Sequence, residues 1–357
     1  VSGMLVRLAC TTALAAQAVL VPAPAAAAPD PQRPGAVPQR SASQLLTELQ
    51  QLYRQAEQAT ETYNATAEKL KRRRAEVARL DGELVRTRLA LQDSRTDVGR
   101  LARRQYQSTG GLGPYVRLLL APDPQDALDE GHVIGELARV QARTVHRLAA
   151  VEKQRDALAR AARKALDAQL TLADQQKKQR DEVRGKLGDV ERLLTALTPA
   201  QLAAVAALEQ RGVTEAQQKL TTAGSLPAGR PASAAGARAV RYALGQLGKP
   251  YQWGAQGPGS YDCSGLTTRA WEHAGRAIPR TSQEQWKHLK RIPLGDLRPG
   301  DLVVYFRDAT HVAMYVGDGK VVQAPRPGEK VQVSPLASNP VLGAVRPDGR
   351  APVTEAG

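Results

Sequence analysis

Tyr261-Asp262-Cys263-Ser264-Gly265-Leu266 contains one of only two cysteines in this 357-residue chain. The other, Cys10, falls within a stretch that reads as a removable export signal. A lone thiol in an exported protein has no disulfide partner and is open to oxidation, so chemistry is the expected reason for keeping it. Asp262 is a good N-cap, which predicts a helix from Cys263 to about Ala274 with Leu266, Ala270 and Ala274 on one face. The positive end of that helix favours a thiolate at Cys263.

A nucleophilic thiol needs a base, and the chain has five histidines. His132 and His146 lie in a long helical middle region. His273 sits ten residues along the helix of Cys263, about 15 Å away by helical rise, and cannot reach it. His288 falls in a polar segment with no clear pattern. His311 begins the strand His311-Val312-Ala313-Met314-Tyr315-Val316, on the face opposite the apolar Val312, Met314 and Val316. It is the base candidate. The turn Gly317-Asp318-Gly319 folds the next strand back, so that residue 311 falls opposite roughly 323 to 325. Gln323 has the parity to share the face of His311, where its amide oxygen can accept the imidazole proton.

Aromatic residues are only 4% of the chain. Those from Tyr242 to Tyr315 include all three tryptophans, whereas residues 41–220 have only Tyr53, Tyr63, Tyr106 and Tyr115. A compact core is therefore expected in the last third and an elongated helical region before it. The formal net charge of +15 is spread along the chain, with no basic stripe interleaved with aromatics. Nucleic acid is thus not an expected partner, and an anionic envelope polymer fits better.

Residues 1–28 read as a signal peptide: Arg7, an apolar run from Leu8 to Val21, then Ala25 to Ala28. The apolar run is too short for a retained span, so stable membrane insertion is not expected and a secreted, wall-associated location is. Residues 29–40 form a proline-rich tether. Residues 41–220 read as an α-helical coiled-coil region. Its first seam runs from Leu45 through Leu49, Leu52, Ala56, Ala59, Tyr63, Thr66 and Leu70 to Leu101. It stops at Ser108–Pro114, and a less regular seam follows from Leu137 to Leu197. Two helices around a glycine-rich break suggest an antiparallel hairpin, with a parallel homodimer as the alternative. Thr198-Pro199 restarts a short helix to about Gln210. Residues 221–236 read as a flexible linker and 237–350 as the final domain. There, helices followed by strands near 302–306, 311–316, 320–324 and 330–333 give an α+β fold.

Five stretches in the final domain carry a family resemblance. They are Tyr251-Gln-Trp-Gly254, Asp262-Cys-Ser-Gly-Leu266, Pro279-Arg-Thr-Ser282, Leu297-Arg-Pro-Gly-Asp301 and His311-Val-Ala-Met-Tyr-Val-Gly317. In this order they resemble the motifs of NlpC-type, papain-like cell-wall cysteine peptidases over about 237–346. The resemblance implies a papain-like fold, no cofactor or metal, and cleavage of peptidoglycan stem peptides at the D-isoglutamyl–diamino acid bond. It implies Cys263 as nucleophile, His311 as base, and Gln323 at a third polar position more often held by histidine. Tyr251, Asp262, Ser264, Arg280 and Ser282 match substrate-contacting positions, Asp262 being equally readable as a helix cap. The backbone N–H of Cys263 is the expected oxyanion donor. The competing readings are an amidase or acyltransferase using the same pair, or a non-catalytic coiled-coil adaptor that binds stem peptides. The helical region is expected to regulate the site by folding over it, or to dock on an envelope protein partner.

Overall fold

The computed structural model describes residues 40–108, 114–224, 226 and 229–349. The expected signal, all of the tether but Arg40, and residues 109–113 of the break lie outside them. Helix α1 (Ala42–Ser108) starts at a capping box, with Ser41 Oγ accepting the Gln44 N–H and Gln44 Oε1 accepting the Ser41 N–H. A short α2 (Pro114–Leu119) follows. Helix α3 (Pro124–Ala196) opens on the Asp123 cap with Pro124 in its first turn.

The two long helices run antiparallel. Leu45 and Leu49 near the start of α1 pack with Val190 near the end of α3, Leu80 packs with Ala162 and Ala165, and Arg95 reaches Glu152 at 3.0 Å. Ala56, Ala59, Thr66, Leu70, Leu84, Thr87, Leu91 and Ser94 of the first seam are also buried. Among the described residues no helix is long and apolar enough to cross a membrane.

Helix α4 (Pro199–Thr222) has a full Thr198–Gln201 capping box and runs well past the expected end at Gln210. Tertiary contact accounts for the difference. Gln217 bonds the Gly319 carbonyl and the Ala337 N–H, and Leu220 packs on the C-terminal sheet. The connection to α5 (Ala234–Leu244) is also tied down, by Leu226 against the same cluster and by an Arg230–Asp296 ion pair at 2.7 Å.

The C-terminal unit continues with α6 (Cys263–His273), α7 (Ser282–His288) and six strands: β1 (Lys290–Ile292), β2 (Leu302–Tyr305), β3 (His311–Gly317), β4 (Lys320–Gln323), β5 (Gln332–Pro335) and β6 (Val341–Arg346). They form one antiparallel sheet in the order β1-β6-β2-β3-β4-β5. The expected α+β, papain-like arrangement is present, with β1, β6 and α7 in addition. His288 ends α7, whose Thr281 cap closes on the Glu284 N–H. The main core lies between the sheet and helices α5 and α6, around Leu266, Trp271, Val304, Val312 and Met314.

Close backbone packing fixes the start of α6. The Asp262 N–H bonds the Ala255 carbonyl at 3.0 Å, and a Cβ at Gly265 would collide with that same carbonyl oxygen. Gly265→Ala is therefore expected to destabilise this unit by about 1–3 kcal/mol. Thermal unfolding followed by tryptophan fluorescence checks it, since all three tryptophans lie in the unit; an unchanged midpoint would refute the packing argument.

Candidate active site

Helix α6 presents Cys263 in its first turn because Asp262 caps it, with Oδ1 accepting the Gly265 N–H at 2.6 Å. The thiol is buried, with the Val312 N–H at the start of β3 close enough to oppose the rise of its pKa. Helix α6 packs on β3, the strand that His311 begins. The imidazole is fully buried, and its Nε2 lies 2.7 Å from Gln323 Oε1 on the neighbouring strand. With the carboxamide oxygen turned to the ring, Nε2 carries the proton and Nδ1 is left for chemistry. Gln323 is fixed in turn by its Nε2 donating to Ser338 Oγ at 3.3 Å.

The other predicted residues surround this pair. Asp262 and Arg280 form a two-pronged buried ion pair, with Nη1–Oδ1 at 3.1 Å and Nη2–Oδ2 at 2.6 Å. Asp262 is thus both helix cap and counter-ion. Arg280 also donates to Ser264 Oγ at 2.7 Å. Ser282 is buried at the start of α7, and buried Tyr251 shares the electrostatic neighbourhood of Cys263 and Asp262.

Four residues of α1 complete the site, and sequence reasoning missed them. Glu57, Glu61 and Asn64 are buried, and Tyr63 stands edge-on to Trp253 at 5.1 Å. Glu61 Oε1 accepts the Ser264 hydroxyl at 2.7 Å and lies 3.8 Å from Cys263 Sγ, while its Oε2 accepts the Ser282 N–H at 3.0 Å. Glu57 Oε1 is 3.2 Å from His311 Nδ1, at an angle that makes this an ion contact rather than a hydrogen bond. Asn64 Nδ2 donates to Asp262 Oδ2 at 3.1 Å. The spacing 57, 60, 61, 64 is a helical stripe beside the seam. Its polar composition hides it among solvated flank positions.

These contacts change the electrostatics expected at the cysteine. Burial, then the charges of Glu61, Asp262 and Glu57, push the Cys263 thiol well above its ordinary 9.0, against the Val312 N–H. The activated thiolate expected from the helix end is therefore not the resting form, because burial and the nearby carboxylates together oppose it. Burial and Asp262 raise Glu61 from 4.5 to about 7, with Arg280, Ser264 and Ser282 opposing. Burial alone lowers His311, but Glu57, Gln323 and Glu61 reverse this and its pKa lies above 6.5.

The NlpC/P60 family matches residues 248–345. A probable endopeptidase of Mycobacterium tuberculosis is 41% identical over 124 residues, 34% of this chain and 32% of the relative. The murein DD-endopeptidase MepH of Escherichia coli is 38% identical over 110 residues, 28% of this chain and 40% of the relative. Among solved structures, NlpC1 from Trichomonas vaginalis is 31% identical, covering 33% of this chain and 46% of that one, with a TM-score of 0.31. The chain thus spans well under two thirds of these relatives' own lengths. The family match falls within the C-terminal unit, and residues 248–345 are an NlpC/P60 domain.

Proposed function

We propose that this protein is an exported cysteine endopeptidase of peptidoglycan stem peptides, with its N-terminal hairpin covering the active site at rest. The observation that carries the reading is a buried thiol at the start of a helix packed on the strand that bears a buried imidazole, whose Nε2 is held by Gln323 at 2.7 Å. The M. tuberculosis and E. coli relatives are named as endopeptidases, the latter a murein endopeptidase.

In this mechanism the Cys263 proton passes to Nδ1 of His311 as sulfur attacks the scissile carbonyl. The oxyanion forms near the Cys263 backbone N–H, one of the first-turn donors that a helix leaves without an intrahelical partner. The imidazolium returns its proton to the leaving amine, and water then cleaves the thioester with His311 as base. Gln323 orients the ring through Nε2 but adds no charge. Tyr251, Asp262, Ser264, Arg280 and Ser282 line the stem-peptide site. Withdrawal of Glu57 and Glu61 leaves the helix end to favour the thiolate. The bond cleaved is taken as D-isoglutamyl–diamino acid; the name of the E. coli relative denotes a different bond of the same polymer, and fragment masses separate the two.

The test incubates the full chain, and a Glu57→Ala/Glu61→Ala/Asn64→Ala variant that clears the groove, with peptidoglycan and maps the released peptides by mass. New stem-peptide termini are expected from both, faster from the cleared variant, and none once Cys263→Ala is added to either. Release that survives Cys263→Ala, or no release from the cleared variant, would sink the endopeptidase reading. Transfer to an added amine in place of water would favour the acyltransferase alternative.

Within the cleared background, His311→Ala should lower kcat by about 10²–10⁴-fold. Gln323→Ala should lower kcat by less and leave KM near its starting value, as expected for a residue that acts through the ring. Steady-state kinetics on a stem-peptide substrate check both. A Gln323→Ala loss confined to KM would place Gln323 in substrate binding instead.

A further inference from the structure

Helix α1 places two carboxylates one turn apart on the two reactive groups: Glu57 on His311 Nδ1 and Glu61 on the Cys263–Ser264–Ser282 corner. Both are nearly inaccessible, at 7% and 2% exposure. The groups facing them come from every element packed there. They are Asp262 and Cys263 at the head of α6, Arg280 before α7, His311 on β3, Gln323 on β4, and the phenols of Tyr251 and Tyr305.

The charge inventory does not balance without protons. Arg280 is matched by Asp262, with both prongs of the guanidinium on that carboxylate. Glu57 and Glu61 then remain, facing a thiol and an imidazole. His311 Nε2 already commits its proton to Gln323 Oε1, so a neutral ring would leave Nδ1 an unprotonated nitrogen 3.2 Å from the Glu57 carboxylate. A protonated ring turns that contact into an ion pair, which is the favourable form at this distance. Glu61 lies beside Asp262 and the thiol, and although Arg280, the Ser264 hydroxyl and the Ser282 N–H support its ionised form, they do not outweigh burial and Asp262. Burying uncompensated charge is costly, and such groups neutralise instead.

We propose that the α1 plug is a proton-linked latch: it closes with Glu61 protonated and with Glu57 set against a protonated His311, and opens as those protons are released, so that rising pH frees the site. This rests on the reading of Cys263 and His311 as the reactive pair, and goes beyond it in naming what sets the resting state. The directions agree with one another. In the closed state Glu61 titrates at about 7 rather than 4.5, and His311 titrates above 6.5. A group with a higher pKa when closed favours closure at low pH and loses that contribution as pH rises through its closed-state value. For Glu61 the window runs from 4.5 to about 7, and for His311 it opens at 6.5 and extends upward. The two therefore add. Solvent has a route to the latch through a cleft of about 1130 Å³ lined by Tyr53, Arg54, Glu57, Gln323 and Arg326 among others.

The experiment uses the full chain and the Glu61→Gln variant, whose side chain at that position is neutral at every pH. Iodoacetamide labelling of Cys263, read on its own peptide by mass spectrometry, is followed from pH 5 to 8 and divided by the rate for the same protein in denaturant. In the parent chain this protection should fall by about tenfold per pH unit for each proton released. In the Glu61→Gln variant it should persist and stay flat below pH 6.5, where only Glu61 titrates in the parent. A flat profile in the parent, the same slope in both proteins below pH 6.5, or no protection of the parent at any pH overturns the latch. A variant unprotected throughout also overturns it, because a plug that closes with Glu61 protonated must close with a neutral side chain there. Peptidoglycan hydrolysis is assayed in parallel. Labelling that follows the expected profile without hydrolysis removes the endopeptidase reading and keeps the latch, and the reverse removes the latch alone.

Discussion

The carboxylate of Asp262 is the constraint on which the other parts of the site depend. It closes the first turn of α6, holds both prongs of Arg280 and accepts the Asn64 amide, all within one buried group. Capping aims Cys263, the ion pair fixes the segment that leads to Ser282, and Asn64 registers α1 against both. An uncompensated carboxylate at this depth would be strongly unfavourable, so its partners are required by its burial. The geometry of the nucleophile, the groove wall and the plug is thereby set by one solvation problem.

The plug itself is held by contacts of a different kind. Besides the buried carboxylates, α1 and α4 meet the C-terminal unit through Arg326, which pairs with Glu209 at 2.8 Å and lies over the Tyr53 ring at 4.8 Å. Arg54 stands over Phe306, and Gln217 bridges Gly319 and Ala337. Arg326 and Glu209 keep about a quarter of their side-chain surface in water, at 26% and 29%. Ion pairs of this exposure contribute on the order of 1 kcal/mol or less. An interface made largely of polar and aromatic contacts suits a cover that must come away without unfolding what it covers.

Much of this was legible in the sequence wherever a periodicity or a cap spoke for itself. The apolar seam from Leu45 to Leu101 announced a long packed helix but left hairpin and homodimer open, Asp262 announced the start of α6, and the turn at Gly317–Gly319 placed Gln323 on the face of His311. Three things were hidden for physical reasons. The stripe Glu57–Thr60–Glu61–Asn64 is buried but polar, so no hydrophobic pattern marks it, and its partners lie some 200 residues away, |i−j| being 202 for the Cys263–Glu61 contact. The three-residue β1 is too short for alternation to register, and the seven-residue α7, opened by the Thr281 cap, is too short for an apolar face to mark it. The Cys263 thiol is pushed up first by burial and then by carboxylates that include the distant Glu61 and Glu57, so a local reading of helix dipole and cap gave the opposite sign.

Helix α1 runs unbroken from Ala42 to Ser108, and Glu57, Glu61 and Asn64 sit in its first third. At 1.5 Å per residue its far end is about 70 Å from Glu61. A stiff rod pinned near one end behaves as a lever. A small rotation at the site corresponds to a large sweep at the tip, and a modest force applied there gains mechanical advantage at the plug. Because all three side chains project from one rod, they must leave together, which makes uncovering a single event rather than a graded one.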